Sequence, residues 1–374
     1  MRTTPLTSID VEGFTSIRSA SVDLRALNVL VGANGAGKSN FVHVFELLSH
    51  VVEQGLGLFV GLNGGASALL NSGSEPRLRV SVQTDAGSYE FALLPAANDE
   101  FVFEHESVSL DEPRSETGVR SFGQGQRESR LNPAAFHPES REISSVVDPL
   151  HSCRVFHFHD TSRNAPVKQY VSTADNLTLR NDAGNLAAVL LYLQSSEDPQ
   201  DRAAYQRIVR TVQLIAPFFR DFVLVPESSD RVLLRWRQRG SDAVFSANQM
   251  SDGTLRFVCL VTLLQQPKLP AVVVLDEPEL GLHPSAIVLL ADLIKQASAR
   301  SQVLLATQSV TLMNQFSVQD LIVVERDEQQ GGSVFTRPDP ERLREWLDEY
   351  SLGELWEKHL IGGQPGTRGS ITDA

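Results

Sequence analysis

The chain has 374 residues, a formal net charge of −13, 41% hydrophobic residues and 21% charged ones. Such a composition is ordinary for a globular protein of two or three domains, or one large domain with an insertion, and excludes a general nucleic-acid coat: contact with DNA or RNA would need a local basic patch. Cys153 and Cys259 are too few for a disulfide framework or a Cys-rich zinc site, and no signal-like or membrane-length apolar run occurs, so a cytoplasmic protein is expected.

Residues 5–31 predict two strands around Gly13-Phe14-Thr15-Ser16, then a short buried strand, Leu27-Asn28-Val29-Leu30-Val31. Next comes Gly32-Ala33-Asn34-Gly35-Ala36-Gly37-Lys38-Ser39, which fits G-x-x-x-x-G-K-[ST], the phosphate-loop pattern. Behind it Phe41, Val42, Val44, Phe45, Leu47, Leu48, Val51 and Val52 recur at helical spacing, predicting a helix buried on most of its surface. Glycine tolerates the dihedrals that let backbone N–H groups wrap a triphosphate, and the helix N-terminus adds partial positive charge. Gly32 through Asn40 is therefore the expected ATP cradle. Lys38 would reach the β- and γ-phosphates, and Ser39 Oγ would ligate Mg²⁺.

A Gly-rich bend is read over residues 55–65. Residues 78–82, 89–93 and 101–104 alternate in polarity at short spacing, as an antiparallel meander does. Residues 111–150 change character, with Arg114, Arg120, Arg127, Arg130 and Arg141 among Ser, Gly, Pro, Gln and Glu. That stretch reads as a mobile surface insertion or as a segment ordered by a partner. Helices are predicted over 185–193 and 202–219. One strand is read over 231–239, with Arg231, Arg235, Arg237 and Arg239 on one face. The stripe suits contact with a phosphate backbone, and the solvated outer face of an edge strand accounts for it as well.

The last third predicts a helix over 250–266, a strand over 271–275 running into Asp276-Glu277, and a helix over 284–300 begun by proline. Buried strands follow at 303–307 and 321–324. Apolar strands alternating with helices imply a parallel sheet. Residues 341–356 read as one acidic amphipathic helix.

Hydrolysis requires a metal ligand, an activator of water and charge stabilisation beyond the phosphate loop itself. Asp276, at a strand's carboxyl end, would hold the Mg²⁺ that Ser39 touches, and Glu277 would orient and deprotonate the attacking water. A plain acidic turn is the bland alternative, which the glutamates on both sides of Pro278 downstream of a phosphate loop outweigh. Ser251-Asp252-Gly253-Thr254 opens a helix with a serine cap; such a start offers a hydroxyl, free N–H groups and a dipole end to a γ-phosphate, though alone it is a well-capped helix. His157, His159 and Asp160 suggest a metal site, but a polar surface or hinge is expected because no distant third ligand is apparent.

The phosphate loop, Ser251-Asp252-Gly253-Thr254, Asp276-Glu277-Pro278-Glu279, Gly281-Leu282-His283-Pro284 and Ala306-Thr307-Gln308-Ser309 form an ordered set. It resembles the ABC-type ATPase heads of the SMC, RecF and OLD group. Phe14-Thr15-Ser16-Ile17 is similar to that group's N-terminal strand, and the tract from Phe156-His157-Phe158-His159-Asp160 to Asn185-Leu186-Ala187-Ala188 is similar to its stand-alone bacterial ATPases. The resemblance covers most of residues 5–330. It implies an α/β P-loop NTPase fold: an ABC-ATPase-like head with a mixed sheet, an antiparallel β subdomain and a helical lobe. It also implies that Ser251, Asp252 and Gly253 belong to a signature motif that caps the γ-phosphate held by the opposite protomer, and that residues 281–284 cross the seam of a homodimer closed on two ATP molecules. Gln308 stands where many relatives place a histidine; glutamine hydrogen-bonds but carries no proton, which bears on the rate of hydrolysis and not on binding.

The expected layout is a nucleotide-binding lobe at 1–110 with the phosphate loop and meander, an insertion at 111–150 and a helical signature lobe at 151–250. The rest of the nucleotide lobe, at 251–335, and a helical tail at 336–374 complete it. The expected catalytic residues are Lys38, Glu277 and Gln308. The function implied is an ATPase switch acting on DNA or a partner protein, in DNA maintenance or anti-phage defence. The alternatives are a regulatory ATPase subunit of a separately encoded nuclease or toxin effector, and a transporter's ATPase subunit. A Toprim nuclease in the same chain is not expected, because no glutamate strand followed by an Asp-x-Asp pair occurs after residue 324.

Overall fold

A computed structural model describes residues 4–110, 118–131, 141–227, 230–327, 331–358 and 360–362. The chain divides into two compact units: Met1–Val155 with Pro270–Val274 and Ser301–Ala374, and Phe156–Leu269 with Leu275–Arg300.

The first unit contains a six-stranded antiparallel sheet. A hairpin of β1 (Leu6–Phe14) and β2 (Ile17–Asp23) precedes β3 (Leu27–Val31), which belongs elsewhere. β1 pairs on its other side with β4 (Leu78–Thr84), and β5 (Gly87–Pro95), β6 (Phe101–Leu110) and β7 (Val119–Gly123) extend the sheet to the order β2-β1-β4-β5-β6-β7. The expected meander is thus present. Val80 and Val82, Tyr89, Phe91 and Leu93, and Phe101 and Phe103 turn one face of the pleat to the core.

The second sheet carries β3. Its order is β17-β16-β3-β15-β14-β8, made with β8 (Cys153–Phe156), β14 (Val272–Asp276), β15 (Gln302–Thr307), β16 (Leu321–Asp327) and β17 (Gly332–Thr336). β15 and β16 lie parallel to β3 on its two sides, and β17 is antiparallel to β16, so the sheet is mixed. Every residue of β3 and β15 is buried, which is why they read as largely apolar runs without alternation. Helix α1 (Lys38–Val52) buries all eight apolar residues expected of it and joins side chains of both sheets, such as Phe91, Leu30 and Leu304, in one core. Each such side chain contributes about 1.5–3 kcal/mol relative to exposure.

Several details differ from the sequence reading. Residues 55–65 hold a helix, α2 (Leu56–Leu62), followed by α3 (Ala66–Leu69). Leu56, Phe59 and Val60 are buried at helical spacing, while Gly57 and Gly61 fall on the exposed side, where glycine weakens a helix without breaking it. Of the insertion expected at 111–150, residues 111–117 and 132–140 lie outside the described residues. Most of the rest takes regular structure. Beyond β7, the fully buried Glu106 carboxylate accepts hydrogen bonds from Tyr89 Oη (2.9 Å), Arg130 N (3.0 Å), Gln126 Nε2 (3.3 Å) and Ser129 Oγ. The polarity of residues 126–130 is that of a network closing on Glu106. Helix α4 (Arg141–His151) buries Ile143, Val146, Val147 and Leu150, a helical stripe inside a polar stretch.

The second unit packs four more helices in succession: α5 (Leu186–Ser195) on α6 (Pro199–Ile215), α6 on α7 (Asp252–Gln265), and α7 on α8 (Pro284–Ser298). Asp198 caps α6 ahead of Pro199, and His283 caps α8 ahead of Pro284. The single strand expected over 231–239 is two. β9 (Val171–Ser172) pairs with β11 (Arg231–Val232), whereas β12 (Arg235–Gln238) sits between β10 (Phe219–Phe222) and β13 (Val244–Ser246). Alternation persists across both strands while the pairing partner changes, and β12 is a central strand, not an edge. Arg231 donates to Tyr170 O (2.9 Å) and lies 5.7 Å from that ring's centroid, and Arg235 pairs with Glu227 at 3.0 Å.

In the first unit, β15 is followed by α9 (Val310–Met313). The tail expected as one helix is α10 (Pro340–Glu349) and α11 (Leu352–Glu357), separated because Ser351 and Glu354 form a reciprocal capping box that starts a new helix.

Candidate nucleotide site

β3 ends at Val31 and the chain turns at once into the glycine loop. Gly35 (φ 77°) and Gly37 (φ 116°) take left-handed backbone that a side chain resists. No side chain caps α1 and no acidic residue stands in its first turn, so its leading N–H groups suit an anion. Lys38 is 5% exposed, and its Nζ donates to the carbonyls of Gly32 (2.7 Å) and Ala33 (3.0 Å), folding the side chain back along the loop. Asn34, Gly35 and Ser39 are exposed, Ala33 and Asn40 partly so, and Ala36 is buried. A cradle of left-handed glycines, a buried ammonium and an open helix start fits the phosphates of a nucleotide.

The back of the loop is braced from strands far away in sequence. Ser333 Oγ, on β17, donates to Ala36 O at 2.6 Å; Ser16 Oγ lies 2.7 Å from Ser333 Oγ, and Asn40 Nδ2 donates to Ser16 Oγ at 2.7 Å. A Cβ on Gly37 would land on Ser333 Oγ, and one on Gly32 would land on Val324 O. The loop's glycines thus serve close packing as well as phosphate approach.

Gln308 belongs to the same unit. Thr307 pairs with Val31, so Gln308 follows on the strand beside the one that enters the loop. It lines a cleft with Val31, Thr307, Ser309, Met313 and Trp356. Thr307 Oγ1 accepts from Ser309 N (3.0 Å), and Ser309 Oγ caps α9 by accepting from Leu312 N (3.2 Å). Gln54, just past the end of α1, donates to Ser129 O at 3.0 Å and so ties that end to the Glu106 network.

The second unit holds the remaining expected site residues. Asp276 ends β14, Glu277 follows it, and both line a cleft with Phe158, His159, Arg256 and Pro278. Glu277 has φ 42°, a left-handed conformation worth about 1–3 kcal/mol of strain in a non-glycine residue. Arg256 on α7 donates to Leu280 O (2.9 Å) and His159 O (2.8 Å), bridging the loop after Glu277 to the chain ahead of α5. Ser251 caps α7: its Oγ accepts from Thr254 N (3.3 Å) and lies 2.7 Å from Thr254 Oγ1. Gly253 packs so tightly that a Cβ there would lie 2.5 Å from Gly281 O. Asp252 is exposed, 4.0 Å from Lys168 Nζ. The rings of His157 and His159 are 6.2 Å apart, and among the described residues no three His, Cys, Asp or Glu side chains are grouped to hold a metal ion.

Gly32 through Asn40 and Gln308 therefore share one unit, and Ser251, Asp252, Gly253, Asp276 and Glu277 share the other. Sequence reasoning gave no site role to Ser16, Ser333, Arg256 or Trp356. Ser16 and Ser333 are 317 residues apart, a separation no local pattern spans. Arg256 left one signal, a lone cation in an apolar helix.

A family model described as "AAA domain, putative AbiEii toxin, Type IV TA system" matches residues 27–314, from β3 through Gln308 into α9. The chain belongs to this AAA domain family. No curated protein matches the sequence. Among solved structures, this AAA domain is similar to an Smc head bound to the C-winged helix domain of ScpA, with a TM-score of 0.54 and 16% identity over 91% of this chain and 99% of that one. It is also similar to the Smc head domain with an extended coiled coil bound to the C-terminal domain of ScpA, from Pyrococcus furiosus, with a TM-score of 0.52 and 16% identity over 92% of this chain and 99% of that one. At such identity the likeness speaks for the fold. The AAA domain is a P-loop ATPase head of ABC/SMC-like architecture, with mixed and antiparallel sheets, as its motifs implied. Among the described residues, no helix is long and apolar enough to cross a membrane.

Proposed function

We propose that this AAA domain hydrolyses ATP in the cytoplasm as a head that pairs with a second copy of itself, closing when ATP is bound and opening after hydrolysis. The observation that carries the reading is the braced phosphate loop, with buried Lys38 folded along it and Gln308 set beside it by the Thr307–Val31 pairing. Lys38 Nζ exchanges its two loop carbonyls for oxygens of the β- and γ-phosphates. The Glu277 carboxylate takes a proton from the attacking water. Gln308 donates a hydrogen bond to the γ-phosphate or orients that water and, carrying no proton, leaves Glu277 as the base. The Ser251 hydroxyl and the start of α7, with Asp252 and Gly253, cap the γ-phosphate held by the second copy. Mg²⁺, held by Ser39 and Asp276, would supply positive charge against that gathering on the phosphate oxygens.

The family's description names a putative toxin of a type IV toxin–antitoxin system, which favours a separately encoded protein over a transporter's membrane subunit as what the closure acts on. Of the four arginines of the stripe, Arg231 and Arg235 are engaged within the chain while Arg237 and Arg239 are exposed, a narrow basic patch for DNA and so some support for a protein partner. We infer a place in defence against phage or mobile DNA, a reading that the toxin–antitoxin system named in the same description supports.

Sizing Glu277→Gln with and without saturating ATP and Mg²⁺ tests the proposal. The variant should bind ATP, turn it over at least 100-fold more slowly than the wild type, and accumulate as a dimer. A variant that binds ATP yet stays monomeric would sink the composite site, and a wild type without turnover would sink hydrolysis.

A further inference from the structure

We propose that Trp356 is a positioning residue for ATP hydrolysis: carried on the docked helix α11, it walls the cleft that holds Gln308 and fixes that amide for the γ-phosphate. The proposal rests on the reading of Gln308 given above and adds the element that orients it.

The tail is built to deliver this indole. Ser351 and Glu354 cap α11 reciprocally, with Ser351 N and Oγ donating to Glu354 Oε2 at 2.8 and 2.9 Å, so the six-residue helix is locked from its first turn. Leu352, Gly353 and Leu355 are buried beneath it. Gly353 is the docking point: its N–H donates to Asn314 Oδ1 at 2.6 Å, and a Cβ there would collide with Val310 Cγ1 and lie 2.8 Å from Asn314 Oδ1. Val310 opens α9, the helix that Ser309 caps and that Gln308 directly precedes. A short rigid path therefore runs from α11 through α9 to Gln308. Trp356, about one turn beyond Gly353, lines the same cleft as Val31, Thr307 and Gln308.

The chemistry of glutamine makes such a wall useful. A charged or proton-carrying residue acts over some range of positions, whereas a neutral amide acts only through well-aimed hydrogen bonds. Glutamine also loses much rotamer freedom when ordered, and a large stiff indole lowers that cost by removing alternative rotamers in advance.

The test separates orientation from binding. Trp356→Ala and Gly353→Ala, the second lifting α11 without touching the indole, should each lower kcat at least tenfold while ATP affinity, titrated at equilibrium, stays within twofold. Trp356→Phe should keep kcat within threefold and show that the fold tolerates change at this site. In a Gln308→Ala background, either alanine variant should alter kcat less than twofold. Retained kcat in both alanine variants, a matching loss of ATP affinity, or an undiminished tenfold loss without Gln308 overturns the proposal. A wild type lacking turnover would count against hydrolysis itself; the positioning role is then judged by indole emission. Mg²⁺-ATP should shift emission in the wild type and not in Trp356→Phe, and no difference between the two overturns it.

Discussion

Gly37→Ala is the substitution whose cost is most fully set by the surroundings of the phosphate loop. Gly37 stands at φ 116° and ψ 11°, so an alanine there pays about 1–2 kcal/mol for left-handed backbone. Its Cβ would also land on Ser333 Oγ, with Ser333 Cβ at 2.8 Å and Ser16 Oγ at 2.9 Å, so Ser333 must move. Moving it breaks the bond to Ala36 O and the link to Ser16, each worth about 0.5–1.5 kcal/mol. Together these come to roughly 2–5 kcal/mol, which, expressed in loop geometry, weakens ATP binding by about 30- to 4,000-fold at 1.4 kcal/mol per decade. Titration with a fluorescent ATP analogue measures the loss. In a Ser333→Gly background the space is free and both bonds are already absent, so Gly37→Ala should there cost only the backbone strain, about 1–2 kcal/mol or about 5- to 30-fold in affinity. Affinity within threefold of wild type in Gly37→Ala, or a loss from Gly37→Ala as large in the Ser333→Gly background as in the wild type, would refute the packing argument.

Three further outcomes are expected. Glu106→Ala strands Tyr89 Oη, Ser129 Oγ and Arg130 N inside the first unit and should cost about 2–4 kcal/mol in urea unfolding; a loss below about 0.5 kcal/mol would mean the network is not structural. Burial pushes the thiols of Cys153 and Cys259 up to about 12, so a disulfide reagent at pH 8 should label neither in the native protein and both in denaturant. Hydrogen bonding from Arg79 first, then from His105, holds the Glu90 carboxyl below its ordinary value. A folded pKa below the unfolded one means that the stabilisation is whole above pH 4.5 and is lost as pH falls through the lowered value. Glu90→Gln should therefore flatten the acid limb of a stability–pH curve while approaching the wild type at low pH, where Glu90 is protonated, and an unchanged limb would refute the assignment.

What the sequence disclosed follows the range of its signals. The strand at Leu27, the glycine loop and α1 are contiguous, so motif and helical period sufficed to place them. The stripe Ile143, Val146, Val147 and Leu150 was equally legible, but polar composition drew attention away from its period. The break between α10 and α11 was written as Ser351 and Glu354 three residues apart, a start signal inside an otherwise continuous amphipathic run. The β11–β12 division was not legible, since alternation survives a change of pairing partner. Nor was the support behind the loop, because Ser333 meets it only after the second sheet is assembled.

That assembly has a bearing on how the chain is made. Asn28 of β3 donates to Val303 O of β15, 275 residues later, and Leu6 N is bonded to the Gln302 side chain, 296 residues later. On a ribosome adding 5–20 residues per second, β3 waits roughly 15–60 s for its neighbours, an apolar strand with both edges open. Closing loops of that length also slows the final pairing. Chaperones that shield nascent strands thus have a defined client here. Since Ser333 arrives later still, the loop gains its backing only when β17 emerges. A translation product that stops before β17 carries the whole phosphate-loop motif without the Ser333 hydrogen bond that backs it.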